Sequence, residues 1–444
     1  MQNAFLIVAV LSGVGLGLAG GCGDSGSSGG AGGNATSAST VISSTASQGG
    51  GGGAPDCTAC IQGACSLDLT ALSADPEGAK WKTCLQSCSG APDQPACLSV
   101  CDQAALGFAN VQAVYGCACQ ACPSECGAVD ACSRACVDGA PPVTQAVPAT
   151  LADTGLFVGS VTAPNGAEIA SWAQPFQPRY VLWSDGATKR RWAQIPACKK
   201  IDTTDMDHWG FPVGTRLWKE FTRDGVRVET RLTYRFGPGD QDWGFATYQW
   251  DLTAPNDPAK ALSVTAGLID ANGTGHDIPA APGDCLQCHG KLKERVLGFS
   301  AIQLTHQIPG SLNIGALSTA GVLTVPAPAQ GFPIPGNTIE SEALGYLHAN
   351  CGQCHNSSMA FPTMQLRVLT TDLTPLDTDT YTTAVNVATQ VYPGEPYRIQ
   401  GQNPAGSCVI ERIHLSTMPP LGSEIPDATG EATLTSWIQT LPIP

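Results

Sequence analysis

The chain has 444 residues and a formal net charge of −15. Its length exceeds one ordinary core and implies roughly two to four domains. The acidity excludes a nucleic-acid partner, because phosphates need opposing lysines and arginines. It suits either solubility after export or the steering of a basic redox partner at encounter.

Residues 1–21 read as an export signal: Phe5 to Leu18 is apolar and uncharged, followed by Ala19-Gly20-Gly21-Cys22. Small residues ahead of a cysteine resemble a bacterial lipoprotein signal. That resemblance implies lipidation of Cys22 and a membrane anchor there, with Gly23 rather than an Asp after it pointing to the outer membrane. A soluble periplasmic protein is the alternative. The apolar run is short for a membrane span, and no later segment could span. Residues 22–54 are almost all Gly, Ser, Ala and Thr, a flexible tether that cannot bury a core.

Residues 55–140 form a cysteine-rich segment, with 13 of the chain's 20 cysteines between Asp56 and Cys136. Pairs at i and i+4 share a helix face. Two neighbouring helices could then close Cys84–Cys101 with Cys88–Cys97, and Cys122–Cys136 with Cys126–Cys132. Cys57, Cys60, Cys65, Cys117 and Cys119 stay unassigned. So few large apolar residues need disulfide staples, which an oxidising compartment supplies.

Ala140-Pro141-Pro142 and Pro148 mark a linker into a β-rich region, residues 150–280, which holds seven of the nine tryptophans. Val226 to Phe236 alternates strictly, with Val228, Leu232 and Tyr234 on one side and Arg227, Glu229, Arg231 and Arg235 on the other. This is the pattern of a half-buried antiparallel strand. Asp224-Gly225 predicts a hairpin with Thr215–Thr222. Trp243–Leu252 reads as a further strand, and Tyr180–Trp192 as another, broken at Asp185-Gly186. A β-sandwich or open barrel is expected over 156–270. The tryptophans are expected to fill its core rather than line a ligand groove.

Two copies of Cys-x-x-Cys-His follow, Cys285-Leu-Gln-Cys288-His289 and Cys351-Gly-Gln-Cys354-His355. This spacing attaches a c-type haem: both thiols reach one macrocycle edge and the imidazole supplies the proximal iron ligand. At this composition chance yields roughly 0.01 such pentapeptides per chain. The rival readings are short disulfides or halves of a zinc site. Two haem c groups are the expected cofactors. Four cysteines for haem and one for lipid leave 15, an odd number, so at least one thiol is free or pairs between chains.

The first haem segment is placed at 281–338 and the second haem domain at 339–444. Glu340–Asn350 predicts a helix entering Cys351, and Ala428–Thr440 a closing helix with Leu434, Trp437 and Ile438 on one face. Between them lies Thr417-Met418-Pro419-Pro420. Two prolines would stiffen this loop and hold Met418 extended, placing its thioether as the distal iron ligand of the second haem. His/Met ligation raises the potential relative to other ligation. The order of helix, motif, methionine loop and helix resembles a small c-type cytochrome. The first haem has no second Met-Pro-Pro. His306 is the leading candidate for its distal ligand, with an open iron, His276, Met359 and Met364 as alternatives; His208, His348 and His414 read as structural.

Longer stretches resemble a bacterial family of uncharacterised exported haem-binding proteins: Leu182-Trp-Ser-Asp-Gly-Ala187, Phe211-Pro-Val-Gly-Thr-Arg-Leu-Trp-Lys-Glu220, Leu297-Gly298 with Gln303-Leu304, and Tyr346-Leu-His-Ala-Asn-Cys351. The resemblance implies one inherited unit binding haem, without a substrate. The expected fold is therefore multidomain α+β: a disulfide-rich helical module, a Trp-rich antiparallel β domain and a mostly α-helical cytochrome c-like haem domain. The expected role is electron transfer through two haems, with a di-haem peroxidase or other oxidoreductase having one open iron as the alternative and a surface sensing protein as a third. Asp284 and Glu294 lie near the first motif but make no convincing acid–base pair.

Overall fold

A computed structural model describes residues 57–74, positions 79, 80, 83, 87, 114, 117 and 121, and residues 140–444 apart from 160, 162–166, 198, 359–362 and 391–393. The chain divides into two compact units, Met1–Ala135 and Cys136–Pro444. The signal and tether, Cys22, the four proposed disulfides of the cysteine-rich segment, and Met359 lie outside the described residues.

In the first unit two short helices, α1 (Cys57–Ala64) and α2 (Ser66–Ala74), follow one another. Leu69 and Leu72 are buried, as is Val114. Cys65 is bonded to Cys117, which settles two of the cysteines that spacing left unassigned, and Cys60 is also in a disulfide. The bridge joins residues 52 apart in sequence, which restricts the unfolded chain far more than a local link would.

The second unit is organised by a six-stranded antiparallel sheet in simple meander order. Its strands are β3 (Gln174–Pro175), β4 (Thr188–Gln194), β5 (Arg216–Arg223), β6 (Val226–Arg235), β7 (Trp243–Gln249) and β8 (Leu262–Ser263). A separate ribbon pairs β1 (Phe157–Val158) with β2 (Glu168–Ile169). The β5–β6 turn uses Asp224 and Gly225, both at positive φ (47° and 81°), as a tight hairpin of matching twist requires. The open meander corrects the expected sandwich or barrel. Val226–Arg235 is a strand, and at its centre both faces are covered: Val228, Glu229 and Thr230 are all fully buried.

Each sheet face carries its own core. One is covered by Leu151, Leu156 and the buried rings of Trp192, Trp218, Tyr248 and Trp250. On the other, Leu217, Trp243 and Phe245 pack against Val296, Phe299, Leu304, Ile314 and Leu317. The run Val296–Leu304 and helix α4 (Ile314–Thr319) therefore complete the sheet's core.

Helix α5 (Thr338–Asn350) starts at Asn337, whose side chain accepts from the Ile339 and Glu340 amides while Glu340 returns a bond to the Asn337 amide. Its Leu344 and Leu347 meet Leu434, Trp437 and Ile438 of the last helix, α8 (Ala428–Ile438), in a third core. Short helices α6 (Asp379–Thr383) and α7 (Cys408–His414) complete the region, and loops and turns make up most of residues 339–444. This corrects the expectation of a mostly α-helical, cytochrome c-like C-terminal domain: the segment is loop-rich and folds as part of the unit containing the sheet.

The join is built by residues 179–185. Trp183 donates its amide to Asn350 Oδ1 (2.7 Å), and Asn350 Nδ2 returns a bond to the Val181 carbonyl (3.2 Å). The Tyr180 ring lies directly on Gly345, where a Cβ would meet it at 2.1 Å, so only glycine allows the approach. Asp185 Oδ1 accepts from the Ile425 amide (2.9 Å), and Trp183 Nε1 donates to the Ile425 carbonyl (3.0 Å).

Candidate functional site

The first motif occupies helix α3 (Gly283–His289). Asp284 fixes its start by accepting from the Ala280 amide (2.9 Å) and from Gln287 Nε2 (3.1 Å), a structural use of that carboxylate. Glu294 is likewise committed, in a buried ion pair with Arg367 (2.8 Å). His289 makes a short hydrogen bond from Nδ1 to the Arg295 carbonyl (2.6 Å) and lies 4.9 Å from the Phe245 ring. Burial pushes its pKa down to about 3. The ring is thus neutral, its tautomer is set by the carbonyl, and Nε2 is left as a lone-pair donor.

The second motif follows the last turn of α5. The amides of Cys354 and His355 both bond to the Cys351 carbonyl (3.0 and 2.8 Å), continuing one turn beyond the helix. Gly352 is pressed against the His348 carbonyl and Arg367 backbone, where a Cβ would stand 2.8 and 2.9 Å away. The His355 imidazole is hydrogen-bonded to the Met364 backbone, and burial lowers its pKa. Cys351 and Met364 both pack against the α5–α8 core.

The two motifs meet. Cys354 Sγ lies 3.9 Å from the Gln287 carbonyl, and Cys354 adds to the cost of ionising Cys288. Burial pushes all four thiols up, Cys288 to about 11 and Cys351 to about 12. Among the described residues no group of three or more His, Cys, Asp or Glu side chains is placed to hold a metal ion directly. The four motif cysteines are free thiols.

A cavity of about 680 Å³ opens in front of the first motif. Cys285, Cys288 and His289 line it, with Phe176, Leu217 and Phe245 of the sheet face as apolar wall. Its volume falls within the range of small-molecule and cofactor sites, about 300–1,000 Å³. Arg191, Lys219 and Arg231 project from the sheet into the same cavity. Asp185, Glu424 and His276 stand on other parts of its wall. Burial, reinforced by a hydrogen bond with Glu424, pushes Asp185 up to about 7. His276 is bonded through Nε2 to Glu229 (2.7 Å), and its buried Nδ1 has no partner.

The distal candidates separate on geometry. His306 is not placed as a ligand: Nε2 is bonded to the Gln177 carbonyl (2.7 Å) and Nδ1 accepts from the Ile308 amide (3.2 Å), which uses both ring nitrogens. His348 accepts the Val368 amide at Nδ1 (3.2 Å) and is structural. Met418 is half-buried, its amide bonded to the Arg412 carbonyl (3.1 Å). The residues after it, Pro419, Leu421 and Gly422, line the cavity of the first motif, so the methionine loop borders that site.

Arg191, Lys219 and Asp185 escaped the sequence reading. Charged residues at alternate strand positions signal solvent unless a later segment covers them. The available sign was the concentration of cations within the Trp-rich stretch of an acidic chain.

The neutral, oriented imidazole, the paired thiols on the same wall and the apolar cavity beside buried cations fit a haem at Cys285–His289. The second motif supplies thiols and an oriented imidazole in the same order. No family model, curated protein or solved structure matches the chain.

Proposed function

We propose that this chain is an exported redox protein carrying two covalently attached c-type haems and passing electrons between them and a partner protein. The observation that carries the reading is the contact between the two motifs, with Cys354 Sγ 3.9 Å from the Gln287 carbonyl. Macrocycles attached at those thiols would start from one shared edge. A bound haem supplies a one-electron couple at its iron. The chain's own work is to hold Nε2 of His289 available by tying Nδ1 to the Arg295 carbonyl, and to orient the His355 ring against the Met364 backbone. Phe176, Leu217 and Phe245 exclude water from the first site, which lowers the cost of reorganisation when charge changes. Met418 would supply a thioether as the sixth ligand of the second haem, and the residues that follow it border the cavity of the first motif. The lipid anchor at Cys22 and a basic partner belong to the same proposal.

A second reading, a haem oxidoreductase with one open iron, has a specific support. His306 has both ring nitrogens engaged and His276 is held by Glu229. The first iron would then lack a histidine from either and could take an exogenous ligand.

The test is maturation of the full chain in a host with cytochrome c assembly machinery. The expected result is two covalent haems by intact mass and haemochrome absorbance, with electron exchange between them. A matured chain without covalent haem would overturn the proposal. Carbon monoxide added to the reduced protein separates the two readings: no spectral change supports electron transfer, and binding to one haem supports the open iron.

A further inference from the structure

One face of the sheet carries cations in cross-strand register. Arg191 of β4 lies directly opposite Lys219 of β5, Lys219 opposite Arg231 of β6, and Arg231 opposite Thr247 of β7. Directly opposed residues have Cβ atoms about 4.5–5.5 Å apart, and like charges placed so repel. The neighbouring row on this face, Ala193, Leu217, Thr233 and Phe245, is mainly apolar. The three charges are therefore set beside an apolar wall. Arg191 is only 5% exposed. Lys189, on the same face, adds a fourth cation and donates to the Leu182 carbonyl (2.9 Å).

Of the anions at hand only Glu229 pairs with this row, at Arg231, and Arg191 and Lys219 are left without one. Glu229 bonds Arg231 (2.5 Å) and His276 (2.7 Å). Asp185 is turned to the Ile425 amide, Asp284 to the Ala280 amide and Asp277 to the Asp270 amide. Among the described residues no carboxylate or carbonyl pairs with the side chain of Arg191 or Lys219. The buried Thr247 hydroxyl at the end of the row also has no partner. Burying unpaired charge is among the costliest things a fold can do. An acidic chain that collects cations here leaves room for a negative group, and the cavity in front of Arg191 and Lys219 provides it.

We propose that Arg191, Lys219 and Arg231 form an anion-binding site in this cavity, taking carboxylate or inorganic oxyanion groups. Two sources share that chemistry: the propionates of a haem attached at Cys285 and Cys288, and a free oxyanion entering beside it. The first source rests on the haem reading above; the second does not.

The experiment uses the full chain in two forms, matured wild type and Cys285→Ala/Cys288→Ala, which cannot attach the first haem. Haem content is measured first, so failure of haem attachment is recorded separately. Sulfate is then titrated against chloride at matched ionic strength while thermal unfolding is followed. In the Cys285→Ala/Cys288→Ala form the row is open, and sulfate should raise Tm saturably, by about 4 °C at a hundredfold excess over Kd. Lys219→Met should abolish that rise. In the matured protein, no rise assigns the site to the propionates, and a saturable rise assigns it to a free oxyanion. A Cys285→Ala/Cys288→Ala form indifferent to sulfate overturns the proposal. So does a Lys219→Met chain whose Tm still rises saturably with sulfate as the parent form's does, because the anion would then be held elsewhere. The sulfate titration requires no substitution in the row, so it stands even if Lys219→Met fails to fold.

Discussion

The same pentapeptide occurs twice in this unit and meets two different surroundings. Cys285–His289 sits on a short helix facing a cavity whose far wall is a charged sheet face. Cys351–His355 continues a thirteen-residue helix, and Cys351 packs against the α5–α8 core. Both histidines are tied to backbone, so each motif presents an imidazole held in one orientation. What differs is what lies in front of that ring. The same five residues can therefore serve different ends, according to their neighbours.

Several substitutions would break or sharpen this contrast. The largest effect is expected from His289→Ala or His355→Ala, each of which should remove one low-spin haem signal and leave the other. Loss of both signals from either change would mean the sites are not independent. Next is Trp437→Ala in the core beneath the second motif. The side chain is fully buried, and its removal should cost about 3–5 kcal/mol in denaturant unfolding. A loss below about 1 kcal/mol would mean that this core does not hold the region together.

Met418→Ala should lower one haem potential and admit carbon monoxide at that iron, and resonance Raman of the variant identifies which. An unchanged potential removes Met418 from the ligand set.

A smaller effect follows from Asp185, which ties the first cavity to the loop ending at Ile425. Its pKa is about 7 in the fold and about 3.9 in an unfolded chain. Between these values the folded chain holds the extra proton. This carboxyl's contribution to stability is therefore full below about pH 4 and is lost as pH rises toward 7. Asp185→Asn should flatten that slope in a pH series of unfolding midpoints; an unaltered slope would assign it to other groups. The smallest effect belongs to Arg179→Ala. Its bond to Glu342 (2.7 Å) joins two side chains that are each over 40% exposed, and its loss should cost less than about 1 kcal/mol.

Local features were the legible ones. The Asp224-Gly225 turn is readable because positive φ is a demand on single residues, and both residues adopt it. The helix ending at Asn350 and the apolar face of Leu434, Trp437 and Ile438 are readable from period alone. The cavity was not. It forms only when Cys285–Leu297, distant in sequence, folds over β4–β7, so Arg231 and Lys219 looked like a solvated face. Spacing points to His306 because histidines are few and this one is near; its two hydrogen bonds depend on Gln177 and on the turn at Ile308, neither of which spacing reveals. The contact of Cys354 with Gln287 is likewise long-range. The cytochrome-like order of elements suggested a separate helical domain, but the Trp183–Asn350 and Tyr180–Gly345 contacts weld that region to the sheet.

The register of the meander has an evolutionary corollary. Arg191, Lys219 and Arg231 face the cavity only because β4, β5 and β6 pair as they do, and the irregularity between Phe221 and Thr222 interrupts sliding of β5 along β6. A single inserted or deleted residue in any of these strands would turn its whole set of side chains over. Trp218 and Leu232 would then enter the cavity, and the cations would be driven into the core of Trp192 and Trp250. Lineages of this protein should therefore accept length changes in the loops around the sheet and reject them within β4 to β6, even where individual side chains drift.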